Sequence, residues 1–486
     1  MGFSYKFEMY RYLQQNSGRI YEEMRKAADE IGIPSEWRGK FGLTGAISGT
    51  PAPLRRDIMA ASEKGADQVI PLARLVDELR ELVKSVYGDE WDVCPVNTCE
   101  GGLWVAFDCL CTPPNLGRGD NYRVRYLAPY EKHLHHQGAY GRPFPPRYKD
   151  ILADRGCTAG ELGFYGKRLN NLDTVIVPLP GAKYPNHGIK YWPVPFLLDV
   201  DPEGARSALA QAAERHREYL TGIASLGYDT PGYGYGRKDE NGTPILLKHM
   251  GELAAACNIP YIVDNAWGLP FVGTDPRAIG ASVMVYSMDK AAGAATSGLI
   301  IGREDDMVPI RRALGMHGDR YGTIASYGKA AYVTQDPGKE ALLTQIAALQ
   351  VLRDRPRQLT DPVDQLETIV QEELAALPEE IRKGLLVSKS YNSGTVEINY
   401  ERTWERGLGL PVFSIEDMYA GSHLIQSGLA QMGIIPTICY DANIFISPGM
   451  GTSDPDGRLI EERMRLAVRG LVRVLDILAR WSGMTR

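Results

Sequence analysis

The stretch that most constrains this chain runs from Asn258 to Gly302. It contains NIPYIVDNAWGLPFVG and, shortly after, GASVMVYSMDKAAGAATSGLIIG. Two short apolar runs, Tyr261–Val263 and Val283–Tyr286, each end abruptly in polar residues. Asp264 follows the first run, and Ser287, Met288, Asp289 and Lys290 follow the second. Runs this short and apolar suit buried strands of a sheet covered on both faces. Open sheets of that kind place their chemistry at the carboxyl ends of the strands.

A carboxylate and an amine at two such ends suit pyridoxal phosphate. The Lys290 amine can condense with the cofactor aldehyde as a Schiff base. Asp264 can pair with the pyridine nitrogen and keep the ring protonated as an electron sink. Ser287, one turn before the lysine, can reach the cofactor phosphate, and Ala266 and the small residues after Lys290 let the backbone approach the ring. A phosphate cradle is expected upstream, in VCPVNTCEGGLWVAFDCL. There Asn97 and Thr98 cap a helix whose first residues are Cys99, Glu100 and Gly101, and a helix N-terminus favours a phosphate. In EKHLHHQG, His133 is the first choice to stack on the ring and move protons, with His135 the second. Trp267, Arg237 and Arg320 are the candidate substrate contacts. Arg320 lies in a polar, Gly-rich loop and suits a phosphate or carboxylate fork, or an ordinary surface position.

Around this stretch the patterning predicts alternating strands and helices. A helix is expected near Ile20–Ile31. The segment GKFGLTGAISGTPAPLRRD then reads as a long ordered loop holding no regular element. Apolar spacing predicts helices over Pro71–Gly88, over Ala205–Leu220 and through Leu246, Met250, Leu253 and Cys257. Strands are expected in YRVRYLAPY and at Thr174–Leu179, with a loop over Lys183–Pro195 and extended chain over Phe196–Val200. Such alternation implies a mainly parallel sheet covered by helices. Beyond it come helices at Glu340–Leu352 and Val363–Leu377, a strand at Gly394–Tyr400 and an apolar C-terminal helix. The expected division is 1–60, an N-terminal helix and Gly-rich arm; 61–330, a large cofactor-binding domain; and 331–486, a small α/β domain.

Composition narrows the function classes. Among 486 residues, 44% hydrophobic and 23% charged content is that of an ordinary globular protein. No apolar run approaches the roughly 18 residues that span a bilayer. MGFSYKFEMYRYLQQ lacks a signal-peptide core, so a cytoplasmic location without membrane attachment is expected. The seven cysteines form no CxxC pair and the eight histidines no HExxH, so no metal is expected and most cysteines read as small buried hydrophobes. A net charge of −6 argues against a dedicated nucleic-acid binder.

The order of phosphate cradle, stacking residue, Asp strand and SxxK strand resembles the fold-type I (aspartate aminotransferase-like) pyridoxal phosphate superfamily over roughly residues 70 to 480. IPYIVDNAWG, YSMDKAAGAATSGLIIGRED, CPVNTCEGG and GDRYGTIAS are similar to segments of the O-phosphoseryl-tRNA(Sec) selenium transferase group. The resemblance implies Lys290 as the Schiff-base lysine, Thr98 as a phosphate ligand and Arg320 as a phosphate or substrate contact. In GLTGAIS, however, Leu43 stands where that group carries an arginine for the substrate phosphate, which argues against phosphoseryl-tRNA as substrate. The expected function is elimination or replacement of a side-chain substituent on a small amino acid, a lyase or transferase reaction. Decarboxylation, transamination and a tRNA-dependent synthase remain open alternatives. A homodimer or homotetramer is expected.

Overall fold

The computed structural model describes residues 6–44, 46–47, 50–51, 55–111, 125–129, 190–194, 201–230, 236–315, 332–400, 402–405, 422–437, 439–440 and 443–483. The chain starts with α1 (Lys6–Gln15) and α2 (Ser17–Glu30), then the strands β1 (Ala46–Ile47) and β2 (Thr50–Pro51). Next come α3 (Arg56–Gly65), α4 (Leu72–Tyr87), β3 (Trp91–Val96), α5 (Cys99–Cys111), β4 (Arg125–Pro129) and β5 (Lys190–Val194). The central part continues through α6 (Pro202–His216), β6 (Leu220–Leu226), α7 (Ile245–Cys257), β7 (Tyr261–Asn265), β8 (Val283–Ser287), β9 (Gly298–Arg303) and α8 (Glu304–Ala313). The remainder holds α9 (Lys339–Asp354), α10 (Arg357–Leu374), β10 (Leu386–Ser390), β11 (Thr395–Asn399), α11 (Ser422–Gln431), β12 (Cys439–Tyr440), β13 (Asn443–Ile446) and α12 (Glu461–Trp481).

Among the described residues, the central sheet has seven strands in the order β3-β9-β8-β7-β6-β4-β5. β8, β7, β6, β4 and β5 pair in parallel, whereas β9 pairs antiparallel with both β8 and β3. β3 therefore points the same way as β8, and the sheet is mostly parallel. Alternate residues pack on opposite faces, as the pleat requires. Tyr261, Val263, Met284, Tyr286, Leu299 and Ile301 enter the core shared with α4, α7 and α9. Ile262, Val283, Val285 and Ile300 enter the core shared with α5 and α8. A second, antiparallel sheet runs β10-β11-β13-β12. It packs with α10, α11 and α12 in a core that also takes in α1 and α2.

Several expectations need correction. The stretch expected as a loop over 183–195 contains β5, paired in parallel with β4 along its whole length. The helix expected to reach Leu220 stops at His216, because Leu220 already belongs to the buried strand β6. The Gly-rich segment holds the β1–β2 antiparallel pair, Ala46 opposite Pro51 and Ile47 opposite Thr50. The tail after Lys290 ends in β9, whose Leu299, Ile300 and Ile301 are buried on both faces between β3 and β8. The expected strands at 174–179 and 196–200 lie outside the described residues.

Candidate active site

One glycine brings the site together. Gly298, the first residue of β9, is in register with Val96 of β3 on one side and Ser287 of β8 on the other. Only about two strand spacings, roughly 9.5 Å, thus separate the end of β3 from the end of β8. A Cβ on Gly298 would lie 2.7 Å from the Cys99 nitrogen and 2.8 Å from the Thr98 carbonyl carbon. The missing side chain lets the start of α5 settle directly onto the strand ends.

That start is capped as its sequence predicts. Thr98 Oγ1 accepts from the Gly101 N–H at 3.0 Å, so the threonine is the N-cap side chain. Helix N-termini concentrate N–H groups and the positive end of the dipole, and this one faces the ends of β7 and β8. Asn97 turns elsewhere. Its N–H donates to the Gln335 carbonyl at 2.7 Å and its Nδ2 to the Thr334 carbonyl at 2.8 Å, tying the helix start to the turn before α9. That turn is also held by the Tyr332 hydroxyl, which donates to Asp108 on α5. Burial and then the Asp108 carboxylate push the Tyr332 hydroxyl well above its ordinary range.

A cavity of about 430 Å³ opens between these strand ends, lined by Thr98, Cys99, Glu100, Asp264, Ala266, Trp267, Ser287 and Lys290. Asp264, only 5% exposed, accepts from the Ala266 N–H at 3.2 Å through Oδ1. Lys290 carries its Nζ 5.9 Å from the centre of the Trp267 ring. Trp267 is itself walled in by Tyr228 at 5.2 Å and Phe445 at 5.0 Å between ring centres. The Ser287 hydroxyl donates to Asp289, so the SxxK turn is closed by a hydrogen bond between two buried residues. Cys109 and Cys111, on α5, are poor nucleophiles. Burial pushes the Cys109 thiol up to about 12 and the Cys111 thiol well above its ordinary range.

The sequence-predicted residues therefore divide. Thr98, Cys99, Glu100, Asp264, Ala266, Trp267, Ser287 and Lys290 meet in one cavity. Gly101 sits behind them in the helix, where a Cβ would strike the Gln335 side chain at 2.0 Å. Arg237 is exposed and does not line this cavity, and its carbonyl accepts from the Ile245 N–H at 3.0 Å. His133 and Arg320 lie outside the described residues. Leu43 is fully buried in the core of the second sheet.

Sequence reasoning missed Tyr228, and it missed the support beneath Asp264. Asn265 and Asn392, both buried, form a reciprocal amide pair, with Nδ2 to Oδ1 distances of 3.0 and 3.1 Å. Asn392 also donates to the Gly227 carbonyl at 2.8 Å and accepts from the Thr274 N–H at 3.1 Å. The residue after the Asp264 carboxylate is thereby tied to the turn between β10 and β11. Asn265 could have been suspected as an amide inside an otherwise apolar strand, but nothing local marks Asn392.

No family model matches the chain, and no curated protein matches it. Solved structures do. The chain is similar to a crystal structure of a SepCysS–SepCysE N-terminal domain complex, with a TM-score of 0.52 and 12% identity over 90% of this chain and 96% of that one. It is also similar to the adenosylmethionine-8-amino-7-oxononanoate aminotransferase of Methanocaldococcus jannaschii, with a TM-score of 0.53 and 12% identity over 89% and 88%. At that identity the likeness is one of fold, and the fold is the type I fold of pyridoxal phosphate-dependent enzymes. Among the described residues, no helix is long and apolar enough to cross a membrane.

Proposed function

We infer that this chain is a pyridoxal phosphate-dependent enzyme acting on a small amino acid, in an elimination or replacement at the side chain. The observation that carries the reading is the convergence of Lys290, Asp264, Ser287 and the start of α5 on one cavity at the ends of neighbouring strands. The donor set fits the cofactor. It offers the Lys290 amine, the buried Asp264 carboxylate and a capped helix N-terminus, which match an aldehyde, a ring nitrogen and a phosphate in turn, while the second buried carboxylate, Asp289, is taken by the Ser287 hydroxyl.

When bound, pyridoxal phosphate supplies an aldehyde for amines and a protonated ring that accepts the electron pair of a broken bond at Cα. Lys290 Nζ would hold the cofactor aldehyde and, as a free amine, would serve as the base for the Cα proton. Asp264 keeps the proton on the ring nitrogen. The N-terminus of α5 would hold the phosphate and so keep the ring in one orientation, while the Ser287 hydroxyl, which donates to Asp289, closes the turn that carries Lys290. Trp267, backed by Tyr228 and Phe445, excludes water from the side of the cavity on which Lys290 works. We read the active species as a homodimer or homotetramer.

Borohydride reduction of the purified protein with added pyridoxal phosphate, followed by peptide mapping, tests the reading. The cofactor mass is expected on Lys290 and absent from Lys290→Ala. Asp264→Asn is expected to keep the linkage but to turn over a reactive β-substituted amino acid about a hundredfold more slowly. A product pair of ammonia and an oxo acid without any added oxo-acid acceptor identifies elimination and separates it from transamination. A protein that borohydride leaves unmodified in excess cofactor overturns the proposal.

A further inference from the structure

A second cleft lies apart from the Lys290 cavity. It occupies about 840 Å³ between the start of α3, the start of α10 and the loop before α12. It shares no lining residue with the Lys290 cavity. Five arginines line it, Arg55, Arg56, Arg355, Arg357 and Arg458, against three aspartates, Asp57, Asp361 and Asp456. In a chain of net charge −6 this is a local excess of positive charge.

Arg55 is the decisive residue. Its side chain is only 6% exposed, and it stands at the N-cap of α3. Nε and Nη2 donate to the two Asp57 carboxylate oxygens at 3.2 and 3.1 Å, and Nη2 also donates to Gln358. Burial raises the Asp57 carboxyl, but the Arg55 hydrogen bonds and charge outweigh it and hold Asp57 below its ordinary value. That one fork uses Nε and Nη2. Nη1, equally buried, has no hydrogen-bond partner among the described residues. A buried guanidinium nitrogen without an acceptor is costly, and native structures rarely leave one so.

The space in front of Nη1 is kept open by Gly457. A Cβ there would lie 3.2 Å from Nη1, and the backbone holds φ at +83°, a conformation glycine takes readily. Arg56 and Arg355 flank the opening with exposed side chains, paired only at its edges with Asp456 at 3.5 Å and Asp57 at 3.2 Å. At its inner end Arg55 lies against Gly293, whose added Cβ would be 3.7 Å from its Cδ, in the loop that follows Lys290. We propose that this cleft binds a compact multivalent anion of the phosphate class, with Arg55 Nη1 as the buried donor and Arg56 and Arg355 at the mouth. An anion held there would touch the segment that carries Lys290 only through the Arg55 side chain, which lies between the two.

The test is calorimetric titration of the full-length protein with inorganic phosphate at fixed ionic strength, with and without saturating pyridoxal phosphate. Saturable binding is expected in both conditions. It should weaken at least about tenfold in Arg55→Gln, the loss of one charged bond to a multivalent anion, and about threefold in Arg56→Gln. Binding that is equal in all three proteins, absent, or abolished by pyridoxal phosphate overturns the proposal. The last result would place the anion in the Lys290 cavity instead. Should Arg55→Gln fail to fold, the double variant Arg56→Gln and Arg355→Gln decides, since both side chains are exposed, 70% and 52%. Unchanged affinity in that variant overturns the site. The arginine variants are read without the cofactor as well, so failure of the cofactor reading would leave this test intact.

Discussion

Truncating Asn392 to alanine should loosen the strand end that carries Asp264. Its amide makes four bonds, two with Asn265, one to the Gly227 carbonyl and one from the Thr274 N–H. In Asn392→Ala the Gly227 carbonyl still accepts from Thr274 Oγ1 at 3.4 Å. The Thr274 N–H and the Asn265 amide, however, lose these partners inside the protein. A buried group stripped of its partner costs about 1–3 kcal/mol, and taking about 1–2 kcal/mol for each gives about 2–4 kcal/mol of local stability. At about 1.4 kcal/mol per tenfold, exchange protection in this region should fall by about thirtyfold to a thousandfold. Hydrogen-exchange mass spectrometry of peptides covering 261–275 reads that change directly. Peptides from α2, in the other core, should keep their protection. A loss of less than about threefold over 261–275 would refute the claim that the amide pair holds this end of β7. Because Asn265 directly follows Asp264, the same variant should also bind pyridoxal phosphate more weakly.

Two further predictions concern the frame of the cavity. Asp92, buried as the second residue of β3, accepts from Arg80 Nε at 2.7 Å and pairs with Arg311. Burial raises its carboxyl, but Arg80 and then Arg311 outweigh that and hold it below its ordinary value. A depressed pKa stabilises the fold above the unfolded value and loses that effect as pH falls through the folded one. Asp92→Asn should therefore cost about 3 kcal/mol at neutral pH. The gap in thermal midpoint from the parent should close as pH falls below about 4, and a gap that stays constant down to pH 3 would contradict it. Gly298→Ala should push β9 away from the start of α5, since its Cβ would approach the Cys99 nitrogen to 2.7 Å. Overpacking of this kind costs about 1–3 kcal/mol. Cofactor affinity, followed by quenching of tryptophan fluorescence, should fall about tenfold, and an unchanged affinity would dissociate the α5 N-terminus from the phosphate.

What the sequence made legible and what it hid follow one physical distinction, the distance along the chain over which a residue's role is decided. Lys290 and Asp264 stood out because each lies at or just past the carboxyl end of a buried strand, so a few neighbouring residues announce both the strand and the polar tip. α4 was legible for the same reason, its apolar stripe and the terminating Gly88 at φ +103° lying within one element. β5 was hidden because KYWPV, with a proline inside it, becomes a strand only through pairing with β4, a partner supplied from far upstream. β9 went unassigned because its flanking glycines and small residues give no strand pattern of their own, and the strand forms where β3 and β8 close on both sides of it. Asn97, Asn392 and Arg55 are the sharpest cases. Asn97 looked like a phosphate ligand because it precedes a helix, yet its side chain is taken by Thr334, a carbonyl that no local pattern could supply. Asn392 carries no local signal, and Arg55 lies in a Gly- and Pro-rich segment that reads only as a loop. Their roles depend on which buried groups are left needing a partner, Asn265 in one case and the Arg55 Nη1 in the other. Hydrophobic periodicity is a property of an element, whereas the pairing of buried polar groups is a property of the assembled fold, so the former can be read along the chain and the latter only across it.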